Sequence, residues 1–584
     1  MKEKSFKLCL TMAGAVSAGA YTAGVLDELF DILDRWEKAK QRNRSLGTDH
    51  PGYDHSLPMH HLELEVMSGA SAGGINAALC LHKILDTTPS GISENTVLKN
   101  CWVNMADDKD GCTLEKLLNT DDLNSGTVPL SLLNGNPLEA LADRFFTPVK
   151  KTARPSWFSE QAEILLTTTN LEGLPVNIHF EQADKEKNGH QITQHSSVFR
   201  FRPGQKFKNT PETDFDHDAY FTLDITREKD LEYLKQAALS TSAFPIGLPS
   251  RKVKLPHKPY LRFAAHMPPR TAAPEPNPTT EDHAFNSIDG GLLNNEPYGW
   301  GVRLLKEKCL EQYQSNRYAV IMIDPLPNKD APQKKEKRNH FLNIAIAMFR
   351  ALRNEVMLNP EGLAEAISLR DRTKFLIAPT KGADYPRELN QLGKVLASSP
   401  LSGFAGFIDK KQREHDYELG RRNCRDFIRF HFTVTLDDAA QRLQDIPSEE
   451  MAYRFGIYPY KNTTSGKLHY PLIPDIRLSY ARENTLKASF KDKDEYPKLP
   501  VFSMEEFRKK YESLITRRMH KLVTYTTGKW WIGLGFRIFF LPSLRTRFLR
   551  LLDREMNFYT PYHTATKKKA KPGNTIAMEN VNRI

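Results

Sequence analysis

The pentapeptide Gly69-Ala70-Ser71-Ala72-Gly73 has the form G-x-S-x-G and lies between an apolar strand-like run, Leu62 to Met67, and a helix-like run, Gly74 to Leu85. A serine on a sharp strand-to-helix turn is held in a strained backbone conformation, so its neighbours must be small, and the helix behind it turns its positive end toward the hydroxyl. All four neighbours are Gly or Ala, which nominates Ser71 as a nucleophile. A serine hydroxyl is a weak nucleophile at neutral pH and needs a base within hydrogen-bond reach. Asp289 can fill that role: it ends an apolar stretch and is followed at once by Gly290 and Gly291, which let the chain turn beside a site. Taken alone, a D-G pair is an ordinary turn signal. A third segment supplies a candidate for the remaining need of acyl transfer, a cradle for the oxyanion. Phe6 to Leu10 reads as a buried strand and runs into small residues from Met12 to Leu26 that open a helix. Backbone N–H groups can approach an anion closely in such a loop, with Ala15 and Val16 as donors. A nucleotide loop is the rival reading, but neither G-x-G-x-x-G nor G-K-[ST] is present there, so no phosphate cradle is indicated.

In the order small-residue loop, G-x-S-x-G, D-G-G, these segments resemble the patatin-like phospholipase family. The resemblance implies a Ser-Asp dyad without histidine, with Ser71 as nucleophile and Asp289 as base. It also implies an oxyanion hole from the N–H groups of Gly14, Ala15 and Val16, a lipid ester substrate, and no metal or organic cofactor. Ala238-Leu239-Ser240-Thr241-Ser242-Ala243-Phe244-Pro245 looks like the family's A-S-x-A-x-P region, and Asn294-Asn295-Glu296-Pro297 is similar to the segment after its D-G-G; both would shape the site. Family loops mostly read G-G-G-x-R-G, whereas Ala15 and Val16 stand here at the second and third glycines and Ala18 at the arginine. Backbone donors survive that change, but the loop must accommodate Cβ atoms. The stretch from Phe407 to Cys424 resembles a segment near the end of the catalytic region in some bacterial members, extending the resemblance to about residue 435. The competing catalyst is an α/β-hydrolase triad of Ser71, Asp289 or Asp324, and His340 or His415. In that fold several strands precede the nucleophile, and only two strand-like runs do so here. A lipid-binding scaffold or an inactive nucleic-acid-binding body are the non-enzymatic readings; intact Ser71 and Asp289 speak against both.

These groups need a framework to hold them. Gly19 to Gln41 has the periodicity of a long amphipathic helix, Ala162 to Thr168 and Tyr318 to Ile323 read as buried strands, and His340 to Met357 and Asp426 to Phe432 as helices. With the resemblance, the pattern predicts a three-layer α/β/α catalytic domain over 1–435 with a mainly parallel central sheet, followed by a mainly helical, basic region over 436–584. A chain of 584 residues exceeds a single core, which stops growing near about 250–300 residues. Loop insertions are expected at 183–217, 264–283 and 328–338, where apolar periodicity lapses.

Charge is unevenly placed. The chain carries +11, of which residues 506–584 contribute +12 and the rest −1. Within that tail, Lys529 to Pro542 is apolar and aromatic, broken by Arg537 and followed by Arg545, Arg547 and Arg550. It is short of the roughly 20 residues needed to span a bilayer, and its tryptophans beside cations suit a membrane interface. A core helix pair with a solvated basic face explains the pattern equally well. No nucleic-acid-binding motif accompanies the charge. Six unclustered cysteines lack C-x-x-C spacing, so neither a zinc site nor a disulfide framework is expected. The charged start Met1-Lys2-Glu3-Lys4 enters the first strand without an apolar signal region, giving the expectation of a cytoplasmic, peripherally membrane-associated protein. Oligomeric state is not legible.

Overall fold

A computed structural model describes residues 5–55, 57–87, 96–105, 113–179, 189–204, 220–256, 260, 271–272, 282–327, 373–382, 394–435, 438, 442–443, 460–461, 468–477 and 496–557. Strand β1 (Phe6–Met12) leads through a single turn of 3₁₀-helix into α1 (Gly19–Leu46), and β2 (Leu62–Gly69) into α2 (Ala72–Leu85). Short helices α3 (Val97–Trp102) and α4 (Thr113–Leu118) and the longer α5 (Asn136–Phe145) precede β3 (Phe158–His179). Then come β4 (Gly189–Pro203), β5 (Phe221–Leu223), α6 (Glu228–Thr241), β6 (Arg251–Pro256), β7 (Thr271–Ala272) and β8 (Asp282–Asp289). The body closes with α7 (Tyr298–Lys308), α8 (Leu310–Gln314), β9 (Tyr318–Ile323), β10 (Lys374–Ile377) and α9 (Lys410–Phe430).

The main sheet runs β10-β9-β1-β2-β3-β4-β5, and its first five strands are mutually parallel. All seven residues of β1 are buried, as a parallel strand covered on both faces requires. Side chains alternate across it: Leu8, Leu10 and Met12 join the core shared with α1 and α2, whereas Cys9 packs with Val302 and Leu305 of α7 on the opposite face. Helices thus cover both faces, the three-layer arrangement expected. Helix α9 lies along α1 so closely that a Cβ on Gly24 would strike the Tyr417 carbonyl and one on Gly420 the Tyr21 carbonyl. The α9 region therefore packs into the same body as α1 and the central sheet.

Two expectations change. Residues 189–203 of the presumed 183–217 insertion are strand β4, paired antiparallel with β3. Phe199 and Phe201 are buried, while Arg200 and Arg202 bind the fully buried Glu163, so what read as a polar loop is a strand with paired charges. The helix expected at 426–432 is the end of one spanning Lys410–Phe430, with Phe432 beyond it. Residues 183–188 and 205–217, most of 264–283, all of 328–338 and the helix expected at 340–357 lie outside the described residues.

A small antiparallel sheet straddles the expected boundary at 435: β11 (Thr433–Val434) pairs with β13 (Leu468–Pro471), which in turn pairs with β12 (Tyr460–Lys461). Helices α10 (Met504–Thr527), α11 (Trp530–Gly535) and α12 (Leu541–Met556) follow, the last two joined by a π-helical stretch at Phe536–Phe540. Phe507, Tyr511, Leu549 and Leu552 pack against Leu118, Ala405 and Ile408 of the body. No helix among the described residues is long and apolar enough to cross a membrane.

Candidate active site

Ser71 and Asp289 are 218 residues apart in sequence, yet the Ser71 Oγ donates a 2.6 Å hydrogen bond to Asp289 Oδ2. Strand β3 brings them together. It pairs with β2 up to Gly69 opposite Leu166, and two residues further along the same edge it pairs with β8, placing Asp289 opposite Thr168. The turn leaving β2 and the turn leaving β8 therefore emerge side by side at one end of the sheet. Both side chains are buried, Ser71 at 8% exposure and Asp289 at 3%.

Ser71 sits at φ 51°, ψ −123° just before α2, a conformation that costs a non-glycine residue roughly 1–3 kcal/mol. Surrounding contacts enforce it. The Ser71 N–H donates to Thr241 Oγ1 at 2.9 Å, and the Ala70 N–H to the Met12 carbonyl at 3.2 Å. Gly73 lies so close to β1 that a Cβ there would collide with the Met12 carbonyl. The positive end of α2 faces the same space.

Asp289 is held as firmly. Its Oδ1 accepts the Gly291 N–H at 2.6 Å, its own N–H donates to the Ala243 carbonyl at 2.9 Å, and its carbonyl accepts the Thr169 hydroxyl at 3.0 Å. The segment 238–245, expected to shape the site, thus holds Ser71 through Thr241 and Asp289 through Ala243. Beneath it the hydroxyls of Thr168, Ser240 and Ser287 form one buried cluster, which no local sequence signal announced.

The loop after β1 reaches the same point. Gly14 donates its N–H to the Asn295 carbonyl at 3.1 Å, and Asn295 Nδ2 returns a bond to the Gly14 carbonyl at 3.2 Å. Gly14, expected as an oxyanion donor, is thereby committed to Asn295, and the expectation narrows to Ala15 and Val16. Val16 has φ 51°, an outlier for a β-branched residue, and lines the same cavity as Ser71. Support for this strained loop comes from far along the chain. The Ser17 hydroxyl donates to the Gly403 carbonyl and accepts the Gly406 N–H at 3.1 Å, while Gly403, at φ 93°, packs against Ala15 and Val16. Leu401 and Ser402 also have positive φ, 55° and 56°, so the clamp is itself a short left-handed turn.

An apolar cavity of about 100 Å³ opens from Ser71. Ile75 and Leu79 of α2, Trp102, Phe145, Leu239 and Phe404 line it, and none of its lining residues is charged. Such a cavity favours hydrocarbon by about 25 cal/mol for each Å² of apolar surface it removes from water. Among the described residues, the histidine-containing triad finds no counterpart. His415 Nδ1 bonds Asp416 Oδ1 at 2.7 Å, His340 lies outside the described residues, and Asp324 follows β9 with its carboxyl, pushed up to about 6 by burial, accepting the Leu326 N–H.

Comparison with known proteins gives three findings. Residues 10–299 match the model of a family described as patatin-like phospholipase. The chain is 29% identical over 518 residues to the uncharacterized protein y4iI of Sinorhizobium fredii, covering 80% of this chain and 70% of that one. A crystal structure of VipD from Legionella pneumophila matches over 95% of this chain and 91% of its own at 10% identity, with a TM-score of 0.19, too low to carry structural inference.

Proposed function

Since residues 10–299 belong to the patatin-like phospholipase family, whose members are lipid acyl hydrolases, we propose that this chain hydrolyses carboxylic esters of phospholipids or lysophospholipids through a Ser71-Asp289 dyad. The observation that carries the reading is the 2.6 Å bond from Ser71 Oγ to Asp289 Oδ2 at the mouth of an uncharged, apolar cavity. In this reading the acyl chain occupies the cavity and the polar headgroup stays outside it. Asp289 takes the hydroxyl proton as Ser71 Oγ bonds to the ester carbonyl carbon. Charge developing on the carbonyl oxygen is met by the N–H groups of Ala15 and Val16 and by the positive end of α2. The tetrahedral intermediate collapses, the C–O bond to the alcohol breaks, and Asp289 returns its proton to the leaving oxygen. Water then attacks the acyl-enzyme with Asp289 again as base, and the fatty acid leaves.

The basic, aromatic C-terminal helices serve as the membrane dock in this reading, because Trp530, Trp531, Phe539 and Phe540 are exposed beside exposed Lys529, Arg537, Arg547 and Arg550. That combination suits an interface with anionic lipid. A neutral-lipid or small-ester substrate would use the same dyad. The test is fatty acid release from vesicles of phosphatidylcholine and phosphatidylglycerol by the wild type, Ser71→Ala and Asp289→Asn, with circular dichroism on each. Both variants should lose at least about a thousandfold in rate with unchanged spectra. Wild-type release by a folded Ser71→Ala would sink the dyad.

A further inference from the structure

The cavity wall continues outward into a rim of apolar side chains that face solvent. Val128, Leu130 and Leu132 are 67%, 84% and 53% exposed, and Ile246 is 75% exposed. Two short segments carry them and are bonded edge to edge, Leu132 N–H to the Ile246 carbonyl at 2.8 Å and Leu133 N–H to the Gly247 carbonyl at 2.9 Å. Leu133, Phe244 and Leu248 of the same segments line the cavity, so inward and outward apolar residues alternate at its edge. Ile246 also has φ 67°, strained for a β-branched residue. Neither that strain nor the exposure contributes to folding, and a contiguous exposed apolar patch marks a surface that meets something.

The rim is tied to the C-terminal helices chiefly through Arg518. Arg518 of α10, 1% exposed, donates to the Leu132 carbonyl at 2.5 Å and to both oxygens of Asp122 at 2.8 and 2.9 Å. Lys521 adds a 3.0 Å bond to Thr120. From Arg518 to the end of α10 is about 14 Å at the helical rise of ~1.5 Å per residue, and there α11 folds back with Gly533 against Thr524, presenting Trp530 and Trp531. The occupant is indicated by chemistry at both ends: a cavity for hydrocarbon at one, aromatics among exposed cations at the other.

We propose that Val128, Leu130, Leu132 and Ile246 enter the interface of an anionic lipid bilayer together with the aromatic tip of the C-terminal helices. An acyl chain then passes from the membrane into the cavity without crossing water. This deepens the ester-hydrolase reading and rests on it for the substrate, while docking itself is measurable without turnover.

The experiment places an environment-sensitive dye on Leu130→Cys in a Ser71→Ala, Cys112→Ser background, the five described cysteines being buried. Vesicles of phosphatidylcholine and phosphatidylglycerol should shift the emission to the blue, and high salt should reverse the shift. In the active protein, Val128→Glu with Leu130→Glu should cut vesicle hydrolysis about tenfold or more and leave hydrolysis of a soluble short-chain ester unchanged. An unshifted dye on protein that co-sediments with the vesicles overturns the proposal, since the tail then docks alone. So does a shift that follows protein concentration without vesicles, which would make a second copy of the chain the occupant. A vesicle-dependent shift with no Ser71-dependent hydrolysis by the wild type would uphold docking and overturn the hydrolase reading.

Discussion

Ser71 and Val16 share a backbone φ of 51° and line one cavity, but they are held there in different ways. The elbow at Ser71 is marked by what lies nearest in sequence, a strand before it, a helix after it and small residues at each neighbouring position, and is fastened there by Thr241 and Met12 from other elements. The loop at Val16 keeps a β-branched residue in the same region through contacts nearly 390 residues away, at Gly403 and Gly406. The strained turn at Ser71 is thus announced by its local sequence, whereas nothing local announces the strained loop at Val16, which only the tertiary fold reveals.

The sharpest way to break the elbow is Gly73→Ala, which drives a Cβ into the Met12 carbonyl. It should cost about 3 kcal/mol or more, read as a lower denaturation midpoint, and abolish turnover; a wild-type midpoint would show that α2 can slide away from β1. Next in size is Ser17→Ala, which strips the clamp from Gly403 and Gly406 and leaves two buried backbone groups without that partner. A loss of about 1–3 kcal/mol and at least a tenfold lower rate are expected, with chemical denaturation and kcat on a soluble ester as the readouts. An unchanged rate would mean the loop holds itself. Smallest is Val16→Gly, where relief of strain is offset by greater freedom of the unfolded chain, so stability should stay within about 1 kcal/mol. The rate should change only a few-fold, because the backbone N–H survives. A hundredfold loss would instead assign the valine side chain a role in seating the substrate.

The same contrast explains what could be read from the sequence. Strands β1, β2 and β9 and helices α1 and α2 were legible because long apolar runs or strong periodicity fix them locally. Ser71 and Asp289 were legible as candidates because their chemistry requires particular neighbours, and the structure brings the two together. Strand β3 is legible only at Ala162 to Thr168; its continuation to His179 is broken in sequence by Gly173 and Pro175 and exists through pairing with β4, β7 and β8. The arginines of β4 read as loop residues because their partner, Glu163, lies in another strand. Gly14 looked like a donor until its carbonyl partner at Asn295 was known. Nothing near Ser17 announces the Gly403 clamp, since neither residue is unusual in its own context.

Strand β1 is flanked on one side by β2 and on the other by β9, which has a consequence for the birth of the protein. Once made, β1 cannot acquire both neighbours until residue 323 has been made, roughly 15–65 s later at about 5–20 residues per second. The clamp on Ser17 follows some eighty residues after that. Throughout this interval the emerging chain holds a largely apolar strand, destined for full burial, with an unfilled edge, the condition in which chains are most exposed to aggregation. A chain stopped after the D-G-G turn would already carry both Ser71 and Asp289, but neither the second neighbour of β1 nor the clamp on the loop at Val16.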